Sequence, residues 1–166
     1  MSGSLKEVKT HMLELSNPKI AEHSLRFFKT GPGEYGEGDI FLGIRVPVTR
    51  KVAKKFWELP LDQILKLLKS KYHEERLLAL FMLVALFRKE NKEQQKNIYQ
   101  AYLSHTDYIN NWDLVDGSAH QIVGGYLFDR DRKPLYKLVK SKSLWERRIS
   151  IIATYTFIKK MTLKIF

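Results

Sequence analysis

Two side chains that could take part in binding or catalysis lie four residues apart, the indole of Trp112 and the carboxylate of Asp116. Asn110 and Asn111 precede them, and asparagine favours the N-cap position, so the sequence predicts a helix that begins here. Residues four apart share one face of a helix, so an aromatic surface would lie beside a carboxylate. The alternative is that Trp112 packs in the core and Asp116 is a solvated charge.

The helical pattern around this segment recurs along the chain. Glu74–Leu77 aligns with Glu146–Ile149 at an offset of 72 residues, and Trp112 lies halfway between them. Arg76, Trp112 and Arg148 are therefore 36 residues apart, each in the first turn of a second helix. A period of this length is typical of an α-solenoid, and without ankyrin or TPR patterns the repeats are best described as HEAT-like.

A solenoid of this kind predicts a groove. Equivalent positions of successive second helices line one concave surface, so we expect Trp112, Asp116 and Arg148 to face a shared groove. Arg148 could instead form an ordinary ion pair, with Glu146 or with a neighbouring helix. Arg76 could extend the groove or pair with the glutamates that precede it.

The remaining segments also read as amphipathic helices with short connections. No strand pattern is present, and the apolar segment Phe41–Val46 is interpreted as a lead-in to a helix. The predicted fold is all-α, a right-handed α-solenoid of antiparallel HEAT-like helix pairs with a concave basic groove, in one domain over residues 1–166. The predicted helices cover residues 5–15, 18–29, 47–57, 60–70, 72–89, 91–103, a segment from 112, 133–139 and 144–160.

Composition narrows the possible partners. The 166 residues include 29 Lys and Arg against 18 Asp and Glu, a net charge of +11, which favours a polyanion such as nucleic acid. Without cysteine, and with five scattered histidines, zinc and thiol chemistry are disfavoured, and no metal or cofactor is expected. The longest apolar run, Leu77–Phe87, is too short for a bilayer, and no signal sequence begins the chain. We expect a cytoplasmic, nucleoid-associated monomer.

Three motifs in order resemble those of the AlkD-like DNA alkylation repair glycosylases, a family built from HEAT-like repeats. They are F-x-G-I-x-x-P at Phe41–Pro47, N-W-D-x-V-D at Asn111–Asp116 and W-x-x-R at Trp145–Arg148, and the resemblance extends to about Lys160. It implies hydrolysis of the N-glycosidic bond of positively charged N3- and N7-alkylated purines in duplex DNA. In this family the lesion need not be flipped into a pocket, unlike in most enzymes that act on bases.

The resemblance also implies roles for individual residues. Asp116 would be the catalytic carboxylate, Trp112 the aromatic face against the deoxyribose, and Arg148 the clamp on a backbone phosphate, with Phe27 contributing to the same cleft. These residue types suit a reaction that leaves positive charge on a sugar. Salt-sensitive contacts with the DNA backbone are expected from basic residues, namely Arg76, Arg147, Lys51, Lys54, Lys55, Lys133, Lys137 and Lys140.

The family continues beyond the helix ending near Lys160 with another helix pair, which carries a second tryptophan to the cleft. The resemblance therefore implies a C-terminally shortened form that ends at Phe166. Apolar residues of the last helix would then lack a cover, and association or reduced catalysis would follow. Two alternatives stay open: a non-catalytic HEAT-like module that binds damaged or distorted duplex, and a protein-interaction scaffold whose charge serves solubility.

Overall fold

The structure is a computed structural model that describes residues 3–162. Over this range the chain is helical and has no β-strand, and its longest connection covers residues 29–45, where an isolated parallel bridge joins Ile40 to Tyr72. The chain divides into two compact units, the first ending at Leu86 and the second beginning at Phe87. The all-α prediction is confirmed, and paired, packed helices are what an α-solenoid is built from. The handedness, the concave groove and the single domain stay predictions.

The first two helices of the first unit begin at residues whose side chains cap them. Ser4 and Glu7 form a reciprocal capping box at the first helix. Asn17 caps the second helix, and Pro18 occupies its first turn, as the sequence predicts. The elements are α1 (Leu5–Glu14), α2 (Pro18–Phe28), α3 (Val46–Lys55), α4 (Leu61–Leu68) and α5 (His73–Lys89), the last of which runs on into the second unit.

A buried carboxylate holds the apolar segment that leads into α3. Glu74 of α5 accepts hydrogen bonds from the backbone N–H groups of Leu42, Gly43 and Ile44, at 2.9, 2.8 and 3.2 Å. These amides have no strand ladder to join, and a buried carboxylate is costly unless it is hydrogen-bonded, so each group satisfies the other. The interpretation of this segment as a lead-in rather than a strand is confirmed.

Gly43 brings this segment into contact with the start of α2. Its φ is +79°, in the region that favours glycine. A Cβ added there would lie 2.0 Å from the carbonyl oxygen of Asn17 and 2.6 Å from the amide nitrogen of Ala21. The glycine of the first motif is thus required for backbone packing.

The second unit continues from the end of α5. Its elements are α6 (Lys92–Leu103), a 3₁₀ turn (Thr106–Tyr108), α7 (Trp112–Asp116), a π-helical turn (His120–Gly124) that passes into α8 (Gly125–Leu127), α9 (Lys133–Leu138), α10 (Leu144–Ala153) and α11 (Tyr155–Thr162). Helix α10 packs against α7, α9 and the π-helical turn, which also contacts α11. The predicted helix at Trp112 is confirmed. The predicted chain end, including Leu163–Phe166, lies outside the described residues.

The prediction of one helix over residues 144–160 is wrong, because a turn at Thr154 separates α10 from α11. The Thr154 hydroxyl and its amide both donate to the Ile151 carbonyl oxygen, at 2.6 and 3.1 Å, and such local bonds interrupt the helical ladder. The turn follows a close backbone approach, since a Cβ on Gly124 would lie 2.3 Å from the carbonyl oxygen of Ala153.

Arginine contacts correct the repeat register by one residue. Arg76 donates through Nη1 to the carbonyls six and five residues before it, at 3.0 and 3.4 Å. Arg147 makes the same two contacts, both at 2.8 Å. Arg147, not Arg148, is therefore the counterpart of Arg76, and α10 corresponds to α5 at an offset of 71 rather than 72 residues.

The corrected register changes which residues are equivalent. The helices α5, α7 and α10 begin at His73, Trp112 and Leu144, so their starts are unequally spaced and Trp112 is not equivalent to Arg148. Counted from these starts, Asp116 and Arg148 are each the fifth residue of their helices. They therefore occupy equivalent helical positions.

We expect Gly43→Ala to lower the free energy of unfolding by about 3 kcal/mol or more, because the methyl group would overlap backbone that side-chain rotation cannot relieve. Urea denaturation measures this. Gly38→Ala is the matched control: its φ is also positive, at +83°, but nothing lies within 4 Å of the added Cβ. Its cost should be only the backbone strain, about 1 kcal/mol. Equal losses in the two variants would contradict the overlap at Gly43.

Glu74→Gln should lower the free energy of unfolding by about 2 kcal/mol, because an amide NH₂ would face backbone N–H donors that now share a buried carboxylate. The control is Glu37→Gln, since Glu37 accepts one backbone bond, from Gly33 at 2.9 Å, at an exposed position. We expect the control to change stability by less than about 0.5 kcal/mol. A Glu74→Gln effect no larger than that of the control would contradict the role assigned to this carboxylate.

Candidate active site

Helix α7 is short but firmly held. Asn111 is fully buried, and its side-chain oxygen accepts the Trp112 amide at 2.8 Å, so the predicted cap is present. Leu114 and Val115 are also fully buried. A helix of five residues cannot persist on its own hydrogen bonds, so this packing holds it in place. Asp116 lies at its last turn, where these contacts fix the backbone.

A buried hydroxyl pair fixes the end of α7. The Tyr102 hydroxyl lies 2.8 Å from Oγ of Ser118, which donates to the Leu114 carbonyl at 2.6 Å. Burial raises the pKa of Tyr102, the hydrogen bond to Ser118 lowers it in part, and the charge of Asp116 raises it further. The phenol therefore stays protonated and acts as a structural hydrogen-bonding group beside the candidate carboxylate.

Asp116 and Arg148 form a bidentate ion pair between α7 and α10. Nε of Arg148 donates to Oδ1 and Nη2 donates to Oδ2, both at 2.7 Å. The hydrogen bond to Asp116 is the main cause that raises the pKa of Arg148, against the opposing effect of burial. The two side chains are 36% and 39% exposed, so the pair is accessible to a ligand.

The structure thus places three of the predicted residues in one neighbourhood. Trp112 lies one turn before Asp116 on α7 and is 38% exposed, and Arg148 reaches the same helix from α10. Of the two alternative ion pairs for Arg148, the one with a neighbouring helix is present, whereas Glu146 accepts the Thr106 hydroxyl at 2.8 Å. An exposed indole, a carboxylate and a guanidinium are the groups that the sequence singled out.

Arg76 is placed differently from either expectation. It is buried, and its guanidinium pairs with Asp39, which also accepts Nδ1–H of His73 at 3.0 Å. Its ion-pair partner is therefore Asp39 rather than a preceding glutamate. A guanidinium held in this way is not presented to a DNA phosphate. Arg147 is half-buried, and its Nη1 is committed to the two upstream carbonyls described above.

The other predicted DNA contacts are exposed. Phe27 is 61% exposed on α2 and packs edge-on against His23, with ring centroids 5.0 Å apart. Lys133 pairs with Asp131 at 3.3 Å, an arrangement open to solvent. Phe27 and three of the lysines belong to the first unit, and two lysines of this set lie on α9 of the second. The exposed lysines are Lys51, Lys54, Lys55, Lys133 and Lys137, with Lys140 just beyond α9.

His120 is a residue that the sequence analysis did not single out. Its Nδ1–H donates to the backbone carbonyl of Asp116 at 3.2 Å, and its ring meets Tyr155 edge-on with centroids 5.6 Å apart. Burial lowers the pKa of His120, the hydrogen bond to Asp116 raises it in part, and the charges of Lys159 and Arg88 lower it again. The spacing of four residues from Asp116 was the available signal.

The described residues contain neither a metal-binding cluster nor a membrane-spanning helix. Within residues 3–162 no group of three or more His, Asp or Glu side chains is arranged to hold a metal ion. Within the same residues no helix has the length and apolar character needed to cross a membrane.

Comparison with known proteins identifies the family. The family model described as DNA alkylation repair enzyme matches residues 8–165, nearly the whole chain. Comparison with curated proteins gives no match. The matched residues include all three motifs singled out in the sequence. The chain therefore belongs to the DNA alkylation repair enzyme family, and its role lies in DNA alkylation repair.

Proposed function

We propose that the protein is a monofunctional DNA glycosylase that hydrolyses the N-glycosidic bond of N3- and N7-alkylated purines in duplex DNA. The observation that carries the proposal is the partly exposed Asp116 carboxylate, oriented through both oxygens by Arg148. The indole of Trp112 lies one helical turn away and is also partly exposed. Family membership supports DNA alkylation repair, and this arrangement supports the finer assignment of chemistry.

The reaction suits a carboxylate that acts without an acid. An N3- or N7-alkylated purine is already cationic, so it leaves as a neutral base and takes the glycosidic electron pair with it. Positive charge then develops on the deoxyribose, and the Asp116 carboxylate stabilises it. Water adds to C1′, its proton passes to the carboxylate or to solvent, and an abasic site remains. The face of Trp112 would attract the cationic base and the polarised sugar C–H groups.

Arg148 can bind the Asp116 carboxylate and a DNA backbone phosphate at the same time. Its Nε and Nη2 face Asp116, so a backbone phosphate would approach the guanidinium from the Nη1 side without opening the ion pair. One rigid planar group would then set the distance between the carboxylate and the DNA backbone. The position of the alkylated base relative to Asp116 would then be fixed by the bound backbone phosphate, and fixing it is the role proposed for Arg148.

A second candidate function is a non-catalytic module that binds damaged or distorted duplex. The observation that favours it is that Arg148 occupies both oxygens of Asp116, as expected if the carboxylate serves only to orient the arginine. The two candidates differ in what Asp116 does after DNA binds, so one substitution separates them.

Asp116→Asn should reduce the release of 7-methylguanine from duplex DNA by at least about 100-fold, because the amide cannot stabilise positive charge on the sugar. DNA affinity should change by less than about threefold, since the exposed lysines are intact. Chromatography of released base under single-turnover conditions measures the first effect, and DNA titration measures the second. Asp113→Asn is the matched control, a carboxylate on the same helix that accepts the Leu114 amide at 2.8 Å.

The control should retain base release within about threefold of the unaltered protein. If the unaltered protein releases no base at concentrations that saturate DNA binding, glycosylase activity is refuted and the non-catalytic module is favoured. Circular dichroism of Asp116→Asn separates a chemical effect from misfolding.

Lys137→Gln on α9 and Lys140→Gln just beyond it should each weaken duplex DNA binding and reduce the slope of log affinity against log salt by about 1, as expected for a lost phosphate contact. Lys66→Gln is the control, because Lys66 is exposed but pairs with Asp62 at 3.3 Å. A salt series of DNA titrations measures all three variants. Negligible affinity for duplex DNA at low salt, or an affinity that no lysine substitution changes, would favour the protein-interaction scaffold instead.

A further inference from the structure

A cavity of about 400 Å³ lies in the second unit and is lined in part by His120. It is formed by the end of α5, by α6, by the π-helical turn with the start of α8, and by α11. Its volume falls within the range typical of small-molecule sites. The side chains that define its chemistry are Phe87, Arg88, His120, Tyr155, Lys159 and Lys160.

The charge of this cavity is positive. Arg88, Lys159 and Lys160 line it, and among its described lining residues none is acidic. Arg88 donates through Nη2 to the side-chain oxygen of Gln121, which orients the guanidinium on the cavity wall. Three cations in one concavity without an internal counter-charge favour an anionic ligand. The polar group most suited to such donors is a phosphate.

Aromatic side chains also line the cavity. Tyr155 is 53% exposed, and its ring stands nearly perpendicular to that of His120, at 81°. Phe87 is largely buried and closes another side. Exposed aromatic faces beside cations are the combination on which nucleic acid bases stack.

His120, which lines the cavity, also carries a hydrogen-bond acceptor. Its Nδ1–H is donated to the backbone carbonyl of Asp116, so in the neutral ring Nε2 carries the lone pair. An acceptor of this kind matches a base with an exocyclic amino group. The cavity therefore combines donors for a phosphate, faces for a planar ring and an acceptor for an amine.

We propose that this cavity binds a nucleotide unit, with its phosphate between Arg88 and Lys159 of α11 and its base against Tyr155. The site goes beyond the proposed glycosylase reaction, which uses Asp116, Trp112 and Arg148. The nucleotide unit can come from a free mononucleotide or from a nucleic acid strand, because both present the same phosphate and base.

The test is calorimetric titration of the full chain with AMP, whose adenine carries an amino group. We expect saturable binding that weakens at least about tenfold in the double variant Arg88→Gln, Lys159→Gln, because charge-assisted bonds to phosphate are lost. The control Lys142→Gln removes an exposed lysine outside the cavity and should leave binding unchanged. Both altered side chains are exposed, and circular dichroism verifies the fold.

A second variant separates a nucleotide site from a simple anion site. Tyr155→Leu should weaken AMP at least about threefold and leave inorganic phosphate unaffected, because only AMP carries a ring to stack. If both ligands respond alike, or if the cavity variants bind AMP as the unaltered chain does, the proposal is overturned. Absence of AMP and oligonucleotide binding at millimolar concentration also overturns it.

Titration with a short single-stranded oligodeoxynucleotide identifies the source. Binding tighter than that of AMP, with the same sensitivity to the Arg88 and Lys159 changes, assigns the site to a strand. Tighter AMP binding assigns it to a free nucleotide, and either result supports the nucleotide class. Asp116→Asn should leave AMP binding intact, so a failure of this site is distinguishable from a failure of glycosylase activity.

Discussion

Burial of one face of α7 is the constraint on which the candidate site depends. Five helical residues cannot stabilise themselves, and an ion pair that is more than a third exposed contributes about 1 kcal/mol or less. Buried contacts of α7 hold the site in place instead. They are the Asn111 cap, the packing of Leu114 and Val115, and the hydrogen bond between the hydroxyls of Ser118 and Tyr102. The fold orients the Asp116–Arg148 pair, and the pair in turn orients two groups that a DNA substrate could use.

In the corrected register, equivalent positions of α5 and α10 can be compared residue by residue. Arg76 and Arg147 sit at equivalent positions and secure the turn before their helices. The next position is Leu77 in α5, which is 4% exposed, and Arg148 in α10, which reaches Asp116. A core position in one helix is thus a candidate functional position in the other. Because one residue along a helix is a rotation of about 100°, a shift of one changes the inferred role of every side chain.

The π-helical turn after α7 links the candidate active site with the cavity beside α11. Such turns are rare and often lie near functional sites. Here the turn carries His120, whose ring bonds back to Asp116, and Gly124, which allows the close approach to the end of α10. The break at Thr154 follows that contact, and it sets where Tyr155 and the lysines of α11 begin.

The sequence by itself determined the helical class, most helix starts, the cap at Asn111, the lead-in to α3 and the residues that mark the family. Caps, prolines and apolar periodicity are local signals, and they act within a turn or two of chain. Tertiary structure alone decided the partner of Arg148 and the burial of Arg76 on Asp39. Each depends on distances between segments far apart in sequence, and periodicity specifies a helix face without specifying its neighbour.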